Sequence, residues 1–178
     1  MPLPVMIPVR EFTFPFFGSW VIVPAGCEDV PPDEPPEEPP PVPPLPAGTQ
    51  LEQEPSLLEI CRMEGLSDGA VPPDLFAVDA AARRNRGLAD IRALSAGGAL
   101  VATAGVYALQ PWEAYIGAVE TVPTFRRRGC AGYLVSLLAH TYAQRPVRLI
   151  CAEGMVPFYA KLGFARDGLL CDCVRTGQ

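Results

Sequence analysis

One histidine, no Cys-x-x-Cys pair, no Gly-Lys-Ser/Thr and no long apolar run: these absences narrow the sequence first. The lone His140 falls in mid-helix, far from any loop motif, and is expected to be structural. Six cysteines stand at 27, 61, 130, 151, 171 and 173. The pair Cys171-Asp172-Cys173 would point to opposite faces of a strand, so no shared metal is expected. Reduced, mostly buried thiols in a cytoplasmic protein are the expectation. A membrane span needs about 18 consecutive apolar residues, and none is expected here. The start Met1-Pro2-Leu3-Pro4 lacks a basic region and is broken by proline, so it does not read as a signal peptide.

Lysine and arginine are missing from residues 28–56, which carry Glu28, Asp29, Asp33, Glu34, Glu37, Glu38, Glu52 and Glu54. Setting these eight carboxylates aside moves the formal charge from −6 for the whole chain to +2 for the remainder. An acidic chain of this kind is a poor nucleic-acid binder.

What is present divides into three stretches. Residues 1–27 are apolar and aromatic, with Phe12, Phe14, Phe16, Phe17 and Trp20, and Trp20 to Val23 is a candidate strand. Residues 28–56 are acidic and Pro/Glu-rich, with eleven prolines. Proline density favours extended polyproline II over helix or central strand. The segment reads as a semi-rigid linker or surface-draped insertion. A ligand for an aromatic-groove partner is the other reading, and Pro-x-x-Pro spacing arises by chance in such composition.

Residues 57–178 carry the patterns of one α/β domain. Ser56 caps a helix whose apolar positions are Leu57, Leu58, Cys61 and Leu66, with Glu59 placed for a capping box. A second helix runs from Pro73 to Ala82. Strands are predicted over Ile91–Leu94, Leu100–Leu109 and Tyr115–Val122, the first two joined at Gly97-Gly98. A helix over Gly129–Ala143, a strand over Val147–Cys151, a short helix over Val156–Leu162 and closing strand material over Phe164–Val174 complete the order. An antiparallel meander thus comes first, and a parallel strand follows the third helix.

The chemistry centres on Val119-Glu-Thr-Val-Pro-Thr-Phe-Arg126-Arg-Arg-Gly129-Cys-Ala-Gly132. A strand ends at proline, three arginines follow, and a helix starts among small residues. The first turn of a helix has free N–H groups and a partial positive charge, which suits a diphosphate. Gly129 allows close backbone approach, and arginines add charge. The loop lacks the residues of a P-loop and the full Gly-x-Gly-x-x-Gly of a dinucleotide fold.

Arg126-x-x-Gly129-x-Ala131 resembles the Arg/Gln-x-x-Gly-x-Gly/Ala signature of the GCN5-related N-acetyltransferases (GNAT). Val119-x-Thr121-x-Pro123-x-Phe125 is similar to the strand that leads into it, and Phe158-Tyr159-Ala-Lys-Leu-Gly163-Phe164 to the family's C-terminal element. The resemblance implies a mixed, mainly antiparallel twisted sheet flanked by helices, with a splayed parallel strand pair. Acetyl-CoA, as co-substrate, would lie in that splay, with no metal. Its pantetheine would pair with the backbone of Val119, Glu120 and Thr121. Its diphosphate would lie on Arg126, Arg127, Arg128, Gly129, Cys130, Ala131 and Gly132. Tyr159 matches the tyrosine that protonates the departing thiolate; a packed core tyrosine is the structural reading of the same residue.

Two residues compete as the base that takes the amine proton, Glu113 and Glu120. Strict alternation puts Tyr115, Gly117, Val119 and Thr121 on one face, together with Glu113, and puts Glu120 on the other; the resemblance favours Glu113, since related enzymes carry an acidic or histidine residue on that side, upstream of the loop. A bulge would invert that assignment. The family's asparagine, about seven residues before the tyrosine, is Ala152 here, with Glu153 beside it. The resemblance therefore implies direct acetyl transfer in a ternary complex to a small-molecule or peptide primary amine. A non-catalytic acyl-CoA sensor or docking module is the alternative. A homodimer, and a partner for the Pro-rich arm, stay open, and neither nucleic acid nor membrane is expected.

Overall fold

In a computed structural model of the protein, residues 40–63 and 73–166 are described. The apolar start, the Trp20–Val23 strand, Leu66 and nearly all of the closing strand expected after Phe164 lie outside the described residues.

Among the described residues, five strands form one sheet in sequence order: β1 (Gln50–Glu52), β2 (Asp90–Ala96), β3 (Ala99–Leu109), β4 (Ala114–Thr121) and β5 (Val147–Leu149). β1 to β4 pair antiparallel, and β4 with β5 parallel. The helices are α1 (Leu57–Arg62), α2 (Pro73–Asn85), α3 (Cys130–Thr141) and α4 (Val156–Ala160). The order of elements follows the hydrophobic pattern, with shorter β5 and α4 than periodicity predicts. β1 departs from the linker expected there: it lies inside the acidic Pro/Glu-rich stretch and, among the described residues, occupies the sheet edge, where such sequence is tolerated.

Local chemistry explains the boundaries. The Ser56 hydroxyl accepts the Glu59 N–H at 3.4 Å and starts α1. Gly97 and Gly98 turn the β2–β3 hairpin. Pro123 ends β4 and opens a short 3-10 turn, Pro123–Phe125.

Two cores form, one on each face of the sheet. On one face Leu57, Ile60, Cys61, Phe76 and Ala80 of α1 and α2 cover Ile91. On the other Leu134, Val135 and Leu138 of α3, with Tyr159 of α4, cover Leu94, Ala102, Ala104, Val106 and Ile116. Burying a side chain such as Leu134 or Ile116 stabilises by about 1.5–3 kcal/mol. β3 is sandwiched between both cores, which explains its small residues: Ala102 and Ala104 face α3, while Gly105 underlies the Tyr107 ring.

The pairing register shows where alternation breaks. Gly117 stands opposite Gly105 and Glu120 opposite Thr103, so Ala118 and Val119 face the single residue Ala104. This is a bulge in β4, and Ala118 carries it with φ 47. The extra residue corrects the strict alternation. Val119 packs on the α3 core and Thr121 is buried opposite Ala102, while Glu120 shares the α1/α2 face with Gly117.

Candidate cofactor-binding and catalytic site

β4 and β5 pair only over Ala114↔Val147, Tyr115↔Arg148 and Ile116↔Leu149. Beyond Ile116 no β5 residue pairs with β4, so among the described residues Gly117 to Thr121 leave one backbone edge open. That opening leads directly to the loop and to the N-terminus of α3.

The loop is shaped for an anion. Arg127 and Gly129 both have left-handed backbones, φ 62 and 85. Gly129 is the N-cap of α3 and offers no side-chain acceptor. The first-turn N–H groups of α3 have no intrahelical partner, and so are left for a ligand, at the positive end of a 12-residue helix. Gly132 is buried in that first turn; a Cβ there would lie 3.7 Å from Leu162, two residues after the end of α4.

The three arginines play different parts. Arg126 folds back over the end of β4: its Nε donates to the Thr121 carbonyl at 3.0 Å, and its Nη2 lies 3.3 Å from Glu120 Oε1. With the Arg126 side chain 55 % exposed, that ion pair adds little stability. Arg128 stacks over Phe125, 4.7 Å from the ring centroid. Arg127 has no ion pair or side-chain hydrogen bond among the described residues, which leaves its charge for a ligand. Cys130 is buried, its thiol pushed up chiefly by burial, and its Sγ lies 3.9 Å from the Phe125 carbonyl. It therefore offers the site its backbone and not its sulfur.

Tyr159 is buried between Phe158 and Phe164, with ring centroids 4.9 and 6.1 Å away. Burial, with a smaller effect of nearby Cys151, pushes its phenol up to about 12. The hydroxyl thus stays protonated at neutral pH, the state a proton donor needs. Cys151, next to this ring, is a residue whose place near the site its sequence context gave no sign of.

The two carboxylates are kept apart. Glu113 precedes β4 at its far end and pairs with Arg148 of β5 at 3.5 Å. Glu120 lies at the loop end, on the α1/α2 face. His140 occupies the last turn of α3, with Nδ1 buried and unpartnered among the described residues. At 1.5 Å per residue it stands about 15 Å along the helix from the loop. Ala152 replaces the family asparagine, and the adjacent Glu153 is engaged with Arg166 at 3.3 Å. No group of three or more His, Cys, Asp or Glu placed to hold a metal ion occurs among the described residues. Nor is any described helix long and apolar enough to cross a membrane.

The acetyltransferase (GNAT) family model matches residues 57–164, well over half of the chain. Among solved structures, an acetyltransferase of Trypanosoma brucei superposes with TM-score 0.60 at 20% identity, covering 71% of this chain and 99% of that one. Glucosamine-6-phosphate N-acetyltransferase from Arabidopsis thaliana gives 0.57 at 16% identity, over 71% and 97%. A Clostridium acetobutylicum acetyltransferase with acetyl-CoA gives 0.55 at 18% identity, over 66% and 90%. At these identities the likeness is one of fold. Among proteins of curated function, none matches the sequence.

Proposed function

The chain belongs to the acetyltransferase (GNAT) family, and we propose that it moves the acetyl group of acetyl-CoA directly to a primary amine within a ternary complex. The observation that carries this reading is the open edge of β4 running into an uncapped helix N-terminus. An extended pantetheine chain fits the first, and a diphosphate the second.

Acetyl-CoA supplies the activated thioester; the remaining steps belong to protein groups. The first-turn N–H groups of α3 and the charge of Arg127 hold the diphosphate. The bulge at Ala118 turns a strand peptide out of the ladder, which supplies N–H donors to polarise the thioester carbonyl. Glu120 takes the amine proton: the bulge sets it on the face opposite α3, from which the acceptor approaches. Glu113 is the weaker candidate, since it sits at the other end of β4 in an ion pair with Arg148. Tyr159 gives its proton to the departing thiolate. The acceptor is a small molecule or a peptide amine.

Isothermal titration of the full chain with acetyl-CoA, followed by CoA release over a panel of amines, tests the proposal. Binding with turnover on at least one amine is expected. No binding at high micromolar acetyl-CoA would reject the donor site. Binding without release on any amine would favour a sensor over an enzyme.

A further inference from the structure

The proline-rich segment is the sequence feature that catalysis leaves unused, and its described part is seated next to the catalytic element. Pro40 lies against Gly163: a Cβ added to that glycine would fall 2.5 Å from Pro40 Cδ and 2.7 Å from Cγ. Gly163 also has φ 86, so the site admits hydrogen alone. Gly163 follows Leu162, whose Cδ2 would lie 3.7 Å from a Cβ added at Gly132 in the first turn of α3. One end of the segment is therefore fixed beside both α4 and the diphosphate loop.

The other end is fixed to the opposite edge of the sheet. Thr49 is buried, and its N–H and Oγ1 both donate to the Pro46 carbonyl, at 3.2 and 2.7 Å, immediately before β1. Gln50 of β1 pairs with Ser95, beside the Gly97-Gly98 turn, and Thr121 of β4 pairs with Ala102 just after that turn. The start of β1 and the end of β4 thus share one end of the sheet. They are three strand spacings apart, about 14 Å. Residues 40–46, if extended as polyproline II, reach about 19 Å, and the turn from Pro46 to Thr49 carries the chain into β1. The segment spans from the Gly163 turn across the sheet end where the loop emerges.

We propose that Pro40–Pro46 is a strap that ties the α4–Gly163 turn to the β1 edge and holds the β4–β5 splay closed on bound acetyl-CoA. The proposal rests on the acetyltransferase reading above. Proline suits the task because its backbone loses little freedom when held, so a stiff tether stays closed where a flexible one would open. The strap acts by position and not by contact with the reacting atoms, so its signature is retention of the donor.

The test is CoA dissociation, followed by stopped flow, from the full chain and from a variant of equal length with Pro40→Ser, Pro41→Ser, Pro43→Ser and Pro44→Ser. The off-rate is expected to rise about tenfold, as most affinity changes of this kind do, with the melting midpoint nearly unchanged. An unchanged off-rate overturns the strap, whether or not the melting midpoint falls. If the fourfold variant does not fold, Pro40→Ser alone carries the same expectation and the same refutation. Failure of the unaltered chain to bind CoA would overturn the donor site itself, and the strap with it.

Discussion

Arg126 closes back on Glu120, Nη2 to Oε1 at 3.3 Å, while its Nε holds the Thr121 carbonyl. The carboxylate proposed above as the base therefore also meets the loop, and kinetics separate the two roles. Glu120→Gln keeps the shape and a hydrogen-bond acceptor but loses the base. A fall in kcat of about a hundredfold, the usual worth of a positioned base, is expected, with little change in KM for acetyl-CoA. Full turnover with a raised KM would make Glu120 a positioning residue only.

Of the three loop arginines, Arg127 is the one whose charge no described side chain meets; it is exposed and has a left-handed backbone. Reversing that charge in Arg127→Glu should weaken CoA binding roughly tenfold, about 1.4 kcal/mol, and the loss should shrink in high salt. Titration of both proteins at two ionic strengths reads this. Equal affinities would place the diphosphate elsewhere.

Tyr159 must be protonated to act as an acid. Its ordinary value of 10.0 is raised to about 12 by burial, so ionisation cannot switch it off below pH 10. A rate profile on a saturating amine should show no falling limb from this group between pH 8 and 10. The same shift stabilises the fold: the contribution is whole below pH 10, and is lost as pH rises through about 12. Tyr159→Phe should lower kcat about a hundredfold and leave CoA affinity nearly intact, because the ring keeps its packing on Phe158 and Phe164. Turnover equal to the unaltered enzyme would remove it from the mechanism.

Much of this arrangement was legible from residue types alone. The loop announces itself because proline, arginine and glycine each have a local conformational or charge requirement that sequence displays. The order of strands and helices follows from the spacing of apolar residues, which local packing preserves. The bulge was not legible: Ala118 looks like any strand residue, and its φ of 47 comes from the register of β4 against β3. That one residue reassigns the faces of Val119, Glu120 and Thr121. The seating of Pro40 on Gly163 was hidden for a similar reason, since composition reports that prolines extend but not what they touch. β1 escaped notice because three residues on an edge are too short to show a period.

Gly105 and Gly117 face each other across β3 and β4 beneath the Tyr107 ring, and only one of them is under compulsion. A Cβ at Gly105 would lie 2.8 Å from Tyr107 Cε2 and 3.0 Å from Ile91 Cγ1, with Ile91 fully packed and Tyr107 held against Phe76. Neither neighbour can swing away, so Gly105→Ala should destabilise by about 1–3 kcal/mol, a fall of roughly 5 °C in Tm. At Gly117 the nearest atom to an added Cβ is Tyr107 Cδ2, at an ordinary 3.7 Å, and Gly117→Ala should cost much less. Replacing the ring tests the cause. In a Tyr107→Leu background the Gly105→Ala penalty should shrink, giving a non-additive cycle by thermal unfolding. Additive penalties would show that the ring is not what excludes a side chain at Gly105.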